Sequence, residues 1–279
     1  MSMISEIRQS FREADVTIRL VYLNVFVFVV IRLSDLTTLF GFGEREWLVS
    51  WLAMPVGSGI LYRPWTPLTY MVSHYDFIHF FFNMIGLYWF GRIFMTVFAD
   101  GRKALLTYVA GGLVGGAAAF LSPLFVGAGN MVLIGASGAI MALLFAVTFS
   151  APNLRLWLTL IGHVRLKYVA LVYFLLDVLS ISAFSNVGGH LAHIGGALAG
   201  MVLVALWRRG ILTKGLPWPS LRRSHIKVVH KSDNIDWDFN KQKNDRNKEM
   251  DRLLEKIKLS GYDSLSQDEK RTLFDMSKN

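Results

Sequence analysis

The 279-residue sequence contains no cysteine. That excludes disulfides, cysteine-held zinc and a thiol nucleophile. Charge is scarce too: 18% of residues are charged against 53% hydrophobic, and the mean hydropathy is +0.41. Such a balance is too apolar for an ordinary soluble domain. No A-x-A-like cleavage site follows the polar start "MSMISEIRQSFREAD". Residues 1–15 therefore read as a cytosolic leader into a retained helix, not as a secretory signal.

What is present is apolar sequence in long blocks: Val21–Ile31, Phe77–Val97, Leu105–Val126, Met131–Phe149, Val169–Phe184 and Leu191–Trp207. Blocks near ~20 residues match the length of a membrane-spanning helix. The first is the weakest, because Arg19, Asn24 and Arg32 interrupt or flank it, but arginines at helix ends can snorkel to the interface. The expected fold is an all-α membrane protein with six transmembrane helices. The core covers residues 16–209, and a basic tail covers residues 210–279.

An isoelectric point of 9.8 and a net charge of +9 raise the question of nucleic acid. From Trp207 to Asn279, 17 Lys/Arg face 11 Asp/Glu, so the tail carries most of the excess. The rest sits in short loops, a pattern that fits membrane topology and not nucleic-acid binding. Arg92, Arg102 and Lys103 follow the second block, and Arg155, Arg165 and Lys167 follow the fourth. The connections "SPLFVGAGN" and "SNVGG" carry no charge. The positive-inside rule then puts both termini in the cytosol. The long first loop, with Trp47 and Trp51 on one helical face, falls outside and suits the interface. In the tail, Met250, Leu253, Leu254 and Ile257 have helical spacing before a break at Gly261, which predicts a small helical hairpin over residues 247–278. Ile211 to Asn247 reads as a linker.

With this topology the second, fourth and sixth helices all start at the outer face. His79 and Asn83 share one face of the second helix. Ser137 in "LIGASGAIMAL" lies about 10 Å below the outer end of the fourth. In "GGHLAHIGGALAG", His190 stands at the rim and His193 one turn deeper. Ser137, His193, His79 and Asn83 are thus predicted at one depth. Each also has a plainer explanation. Ser137 among Gly135, Ala136 and Gly138 could be a packing surface, and Asn83 could be interhelical glue. Two histidines inside a membrane lean functional, because ionisable groups are costly there. Gly196 and Gly200 form a packing G-x-x-x-G, as do the glycines at 111, 112, 115 and 116. Asp177 reads as a structural hydrogen-bonding residue.

A serine needs a base, and a neutral imidazole is the usual one. Ser137 and His193 would form a dyad. Backbone N–H groups near Ser137 (Gly135 among the flanking residues), the Asn83 amide and the His79 ring would stabilise an oxyanion. No acid is obviously placed to orient His193, so no third member is predicted. Gly-x-Ser-Gly at Gly135–Gly138, His-x-x-x-Asn at His79–Asn83, "AHIGGALAG" and "RPWTPLTYMVSHYDFIHFFFNM" together resemble the rhomboid family of intramembrane serine proteases over about Val16 to Arg209. The resemblance implies Ser137 as nucleophile, His193 as general base, and His79 and Asn83 at the oxyanion, with His74 in support. It implies cleavage of transmembrane segments entering laterally between the second and fifth helices, with neither metal nor cofactor. Met141 departs from the family, which often places an aromatic there to stack on the catalytic histidine; sulfur packs on a ring more loosely. His190 falls outside the dyad.

An inactive rhomboid-like client binder would lack the serine or the histidine, and both are present. A transporter would show repeats or paired broken helices, and neither is evident. The expected setting is a bacterial cytoplasmic membrane, with the site toward the outer face.

Overall fold

The computed structural model describes residues 3–41, 44, 46–126, 131–158, 162–182, 186–212, 252–261 and 264–277. The chain divides into two compact units, Met1–Leu216 and Pro217–Asn279.

The first unit is built on six apolar helices: α1 (Val16–Ser34), α2 (Phe77–Phe98), α3 (Gly101–Ala119), α4 (Ser137–Ser150), α5 (Leu166–Ser182) and α6 (Val187–Arg208). Among the described residues, four helical segments are long and apolar enough to cross a membrane: Val16–Phe40, Phe77–Phe98, Gly101–Phe125 and Val187–Arg208. The protein is therefore an integral membrane protein, mostly helical. A shorter helix, Met3–Glu13, precedes α1.

Side chains mark the helix starts. Asp15 accepts from Thr17 N and Ile18 N, Asp76 from His79 N, and Asp100 from Arg102 N and Lys103 N. Each carboxylate satisfies first-turn donors that have no partner in the helix itself. Asn24, the polar interruption in α1, is buried and donates to Leu20 O at 2.8 Å and to the Tyr108 hydroxyl at 3.4 Å. Those bonds partner its amide nitrogen, while its Oδ1 has no partner among the described residues.

α4 is the centre of the bundle. Gly138 to Leu144, Ala146 and Val147 are all buried, as expected of a helix that is apolar all round. α6 and α3 pack most closely on it and on each other, whereas α5 touches the bundle more lightly. A Cβ on Gly196 would run into the Gly138 carbonyl oxygen, and one on Gly200 into that of Ala142. On α3, a Cβ on Gly111 would collide with the Ala142 side chain, and one on Gly115 would lie 2.6 Å from Ala192 O. Absent side chains thus let three backbones meet, which is how helices associate where water supplies no driving force.

One expectation needs correcting. The block Met131–Phe149 does not form one long helix with the serine partway down. Residues Met131–Leu133 instead form strand β2, paired antiparallel with β1 (Met54–Val56) in the α1–α2 connection. Gly135 has φ +112°, which no α-helix contains. The helix therefore begins at Ser137. Its 14 residues make about 21 Å, against a hydrocarbon layer of about 30 Å.

In the α1–α2 connection, Trp47–Leu52 is helical and Trp51 stacks on Trp65 at 5.9 Å. Strands β3 (Arg155–Leu158) and β4 (Gly162–Arg165) form a hairpin between α4 and α5.

In the second unit, residues 252–260 are helical, as is Gln267–Ser277. Ser266 Oγ accepts from Glu269 N, and Glu269 Oε2 accepts from Ser266 N, a reciprocal cap on the second helix. Lys256 Nζ holds Glu269 at 2.8 Å. The predicted linker lies outside the described residues beyond Leu212.

Candidate functional site

The loop ahead of α4 is tied down from two sides. β1 pairs with β2 immediately before it, and Gly135 N donates to Tyr70 O at 2.9 Å. Tyr70 is itself buried and donates its hydroxyl to Gly112 O. Next along the chain, Ala136 N donates to His74 Nε2 at 3.3 Å. His74 is fully buried. Burial, helped by the neighbouring His79 ring, pushes its imidazole from 6.5 down to about 3. The ring is therefore neutral, and a neutral ring can spare a nitrogen lone pair for Ala136. His74 thus holds the residue before the serine.

The ladder of α4 opens with Ile140 N donating to Ala136 O at 2.9 Å. The N–H groups of Ser137, Gly138 and Ala139 precede that ladder, so they belong to the donor-rich end of the helix. Such an end favours negative charge. His79 lies over the same turn: a Cβ on Gly135 would come 2.7 Å from His79 Cε1. Only glycine fits there, both for its φ and for the ring above it. Asn83, one turn along α2, is buried and donates to His79 O at 2.8 Å, while its Oδ1 has no partner among the described residues.

From α6, His193 reaches Ser137. Its Nε2 stands 2.6 Å from Ser137 Oγ, and its Nδ1 stands 2.7 Å from Asp177 Oδ1 on α5. A carboxylate only accepts, so the His193 Nδ1–H donates to Asp177, which leaves Nε2 to accept from the serine hydroxyl. The His193 side chain keeps 24% of its exposure, so the site is open to small molecules.

This arrangement corrects one expectation, that no acid stands beside His193. The sequence offered no acid for His193 and gave Asp177 a structural role. The structure puts Asp177 on His193, because α5 and α6 bring residues 16 apart in sequence face to face. His190, set apart at the rim, donates to the same carboxylate oxygen at 2.8 Å. The available signal was the lone acid in an apolar helix, costly unless partnered. Met141 is buried in the core. The ring standing edge-on to His193 is His190, with centroids 5.8 Å apart.

A hydroxyl, an imidazole and a carboxylate in series, beside the first backbone N–H groups of a helix, can activate an alcohol and hold an oxyanion.

The family model for the Rhomboid domain matches residues 62–210, more than half of the chain, and a family of unknown function (DUF6576) matches residues 233–279. RHOMBOID-like protein 12, mitochondrial, from Arabidopsis thaliana is 29% identical over 217 residues, covering 72% of this chain and 61% of that protein. Presenilin-associated rhomboid-like protein A, mitochondrial, from Danio rerio is 30% identical over 152 residues, covering 49% of this chain and 37% of that protein. The chain thus spans less than two thirds of the length of either relative.

Proposed function

Because the chain belongs to the rhomboid family, we propose that it is an intramembrane serine endopeptidase that cleaves transmembrane segments of membrane proteins. The observation that carries this reading is the 2.6 Å approach of Ser137 Oγ to His193 Nε2, backed by Asp177 at 2.7 Å. Ser137 attacks the scissile carbonyl carbon as its proton passes to His193 Nε2. The resulting imidazolium is stabilised through Nδ1–H by Asp177. The oxyanion is held by N–H groups at the start of α4, with the His79 ring and the Asn83 amide beside them. His193 then gives its proton to the leaving amine, and the bond breaks to an acyl-enzyme. Water, deprotonated by the same nitrogen, releases the new carboxyl end.

In this reading all six helices lie within the bilayer with both termini in the cytosol. The short α4 leaves the serine below the outer surface, where water from outside can meet it. A substrate helix enters between α2 and α5. That route is supported by the exposed apolar faces of both helices, for example Phe81, Phe82 and Ile85 facing out on α2 and Leu175, Leu176 and Leu179 on α5. A bacterial cytoplasmic membrane draws no support from the two relatives, both named as mitochondrial.

The test is cleavage of a model transmembrane substrate by the purified chain in proteoliposomes. Wild type is expected to cleave, and Ser137→Ala and His193→Ala to lose cleavage altogether. A fluorophosphonate probe is expected to label wild type and spare Ser137→Ala. Cleavage undiminished in Ser137→Ala would overturn the assignment. Substrate binding with no cleavage by wild type would instead favour a client-binding protein.

A further inference from the structure

Asp177 contacts two histidines, His190 and His193, through one oxygen. We propose that the three form a binding site for a divalent cation of the zinc class, and that the ion switches the protease off. The effect on cleavage rests on the function proposed above; the binding does not.

The ligand atoms are Asp177 carboxylate oxygen, His190 Nδ1 and His193 Nδ1, all within 4.8 Å of one another. Two imidazoles and a carboxylate are a common three-ligand zinc set, with a fourth position left for water. Ligand atoms around a tetrahedral ion at about 2.1 Å stand about 3.4 Å apart. The two nitrogens already lie 2.8 and 2.7 Å from Asp177 Oδ1. Admitting an ion therefore asks each nitrogen to part from Oδ1 by well under an ångström, with the two nitrogens, within 4.8 Å of each other, settling at the same spacing.

A second observation points to a cation independently. Asp177 is 5% exposed, and both ring contacts fall on Oδ1. Its Oδ2 is buried and has no hydrogen-bond partner among the described residues. A buried carboxylate oxygen left unpaired is costly, and positive charge at that carboxylate relieves the cost. The two ring side chains keep 19% and 24% exposure, so an ion has a way in.

The consequence for catalysis follows from the tautomer. A neutral imidazole carries one proton on two nitrogens. For Nδ1 of His193 to bind an ion, its proton must move to Nε2. Nε2 then becomes an N–H donor and cannot take the proton of Ser137. The ion occupies neither the serine nor the substrate path; it disables the base from behind. No proton is gained or lost in that rearrangement.

The experiment uses the full-length purified chain, stripped with a chelator and then dialysed against Zn2+, with Co2+ as a spectroscopic stand-in. Ser137→Ala, which keeps all three ligands, is expected to bind one ion per chain and to give the visible absorption of tetrahedral Co2+. His190→Gln and His190→Phe each remove one ligand and are expected to bind about a hundred-fold more weakly. Two differently shaped replacements, both checked for a monodisperse folded protein, separate ligand loss from misfolding. In the cleavage assay, Zn2+ should inhibit wild type, and the same concentration should spare either His190 variant relative to its own metal-free rate. Absence of binding in Ser137→Ala, or equal binding in the His190 variants, would overturn the site. One ion bound with cleavage unaffected would overturn the switch. If no form cleaves substrate at all, the protease reading fails, and the dialysis and Co2+ spectra still decide the metal site.

Discussion

At the scale of single residues, the weight falls on a carboxylate. In the proposed mechanism Asp177 holds the His193 tautomer and meets the charge that forms on its ring. Asp177→Asn keeps the shape but removes the charge, and its amide can also favour the wrong tautomer. The expected result is a fall in kcat of about 10²-fold or more with little change in KM. Steady-state kinetics on a fluorogenic transmembrane substrate would read this. A KM effect alone, or an equal loss explained by a lower melting temperature, would reduce Asp177 to a packing residue. His74 supports a different expectation, on stability. Its folded-state value of about 3 lies below the ordinary 6.5. Between those limits the unfolded chain binds a proton that the folded chain refuses. The contribution of His74 is therefore complete above pH 6.5 and drains away as pH falls toward 3. Melting temperatures in detergent should drop through this window, and the slope should be shallower in His74→Gln. Equal slopes would show that His74 is not the group responsible.

Among the helices, what decides the site is how near α6 comes to α4. His193 meets Ser137 only because Gly196 and Gly200 bring the two backbones into contact over the Gly138 and Ala142 carbonyls. Gly200→Val would force a branched side chain into a backbone oxygen, which cannot retreat as a flexible side chain would. Overpacking of this kind typically costs about 1–3 kcal/mol. The melting temperature should fall and fluorophosphonate labelling of Ser137 should slow, because the nucleophile and base are pried apart. Leu198→Val, a β-branched replacement at an exposed position of the same helix, is the control. Helical blocks of this type are legible in sequence because hydrophobicity persists for many turns. The start of α4 was not legible for the same reason: Met131–Leu133 is as apolar as the helix after it, so periodicity cannot mark where strand gives way to helix. Only Gly135, with its left-handed φ, breaks the run, and a glycine among glycines and alanines reads equally well as packing. The serine and both histidines stood out as polar groups in apolar surroundings. The Asp177 contact did not, because it depends on how α5 faces α6, and no spacing within one helix encodes that.

Over the whole molecule the governing quantity is the sidedness of charge. If both termini are cytosolic, the basic connections after α2 and after α4 lie on one side of the bilayer, and the uncharged ones on the other. The structure adds cations on aromatic faces near the first set: Lys103 lies over Trp207 at 5.2 Å, and Arg208 over Phe149 at 4.9 Å. Those contacts join the α2–α3 turn to the end of α6, and the end of α6 to the end of α4. They therefore put three helix ends at one face without any appeal to charge counting. The absence of native cysteine makes this directly measurable. Single cysteines at Arg102, Arg165 and Ser277 should react with a membrane-impermeant maleimide only when the cytosolic face is open. Those at Ser58 and Asn186 should react from the opposite face. Moving a basic loop across the hydrocarbon layer would cost several kcal/mol by the insertion scale, about 2.5–3.5 kcal/mol for each Arg or Lys at the bilayer centre, so a mixed orientation is not expected. Labelling of Arg102→Cys and Arg165→Cys from opposite faces would mean that α3 and α4 do not both cross, and the six-helix reading would fall with it. Labelling of Ser58→Cys and Ser277→Cys from one face would break the topology at α2, α5 or α6 instead. A break at α3 or α4 would also move Ser137 to the wrong depth for water from outside, so there orientation and chemistry stand or fall together.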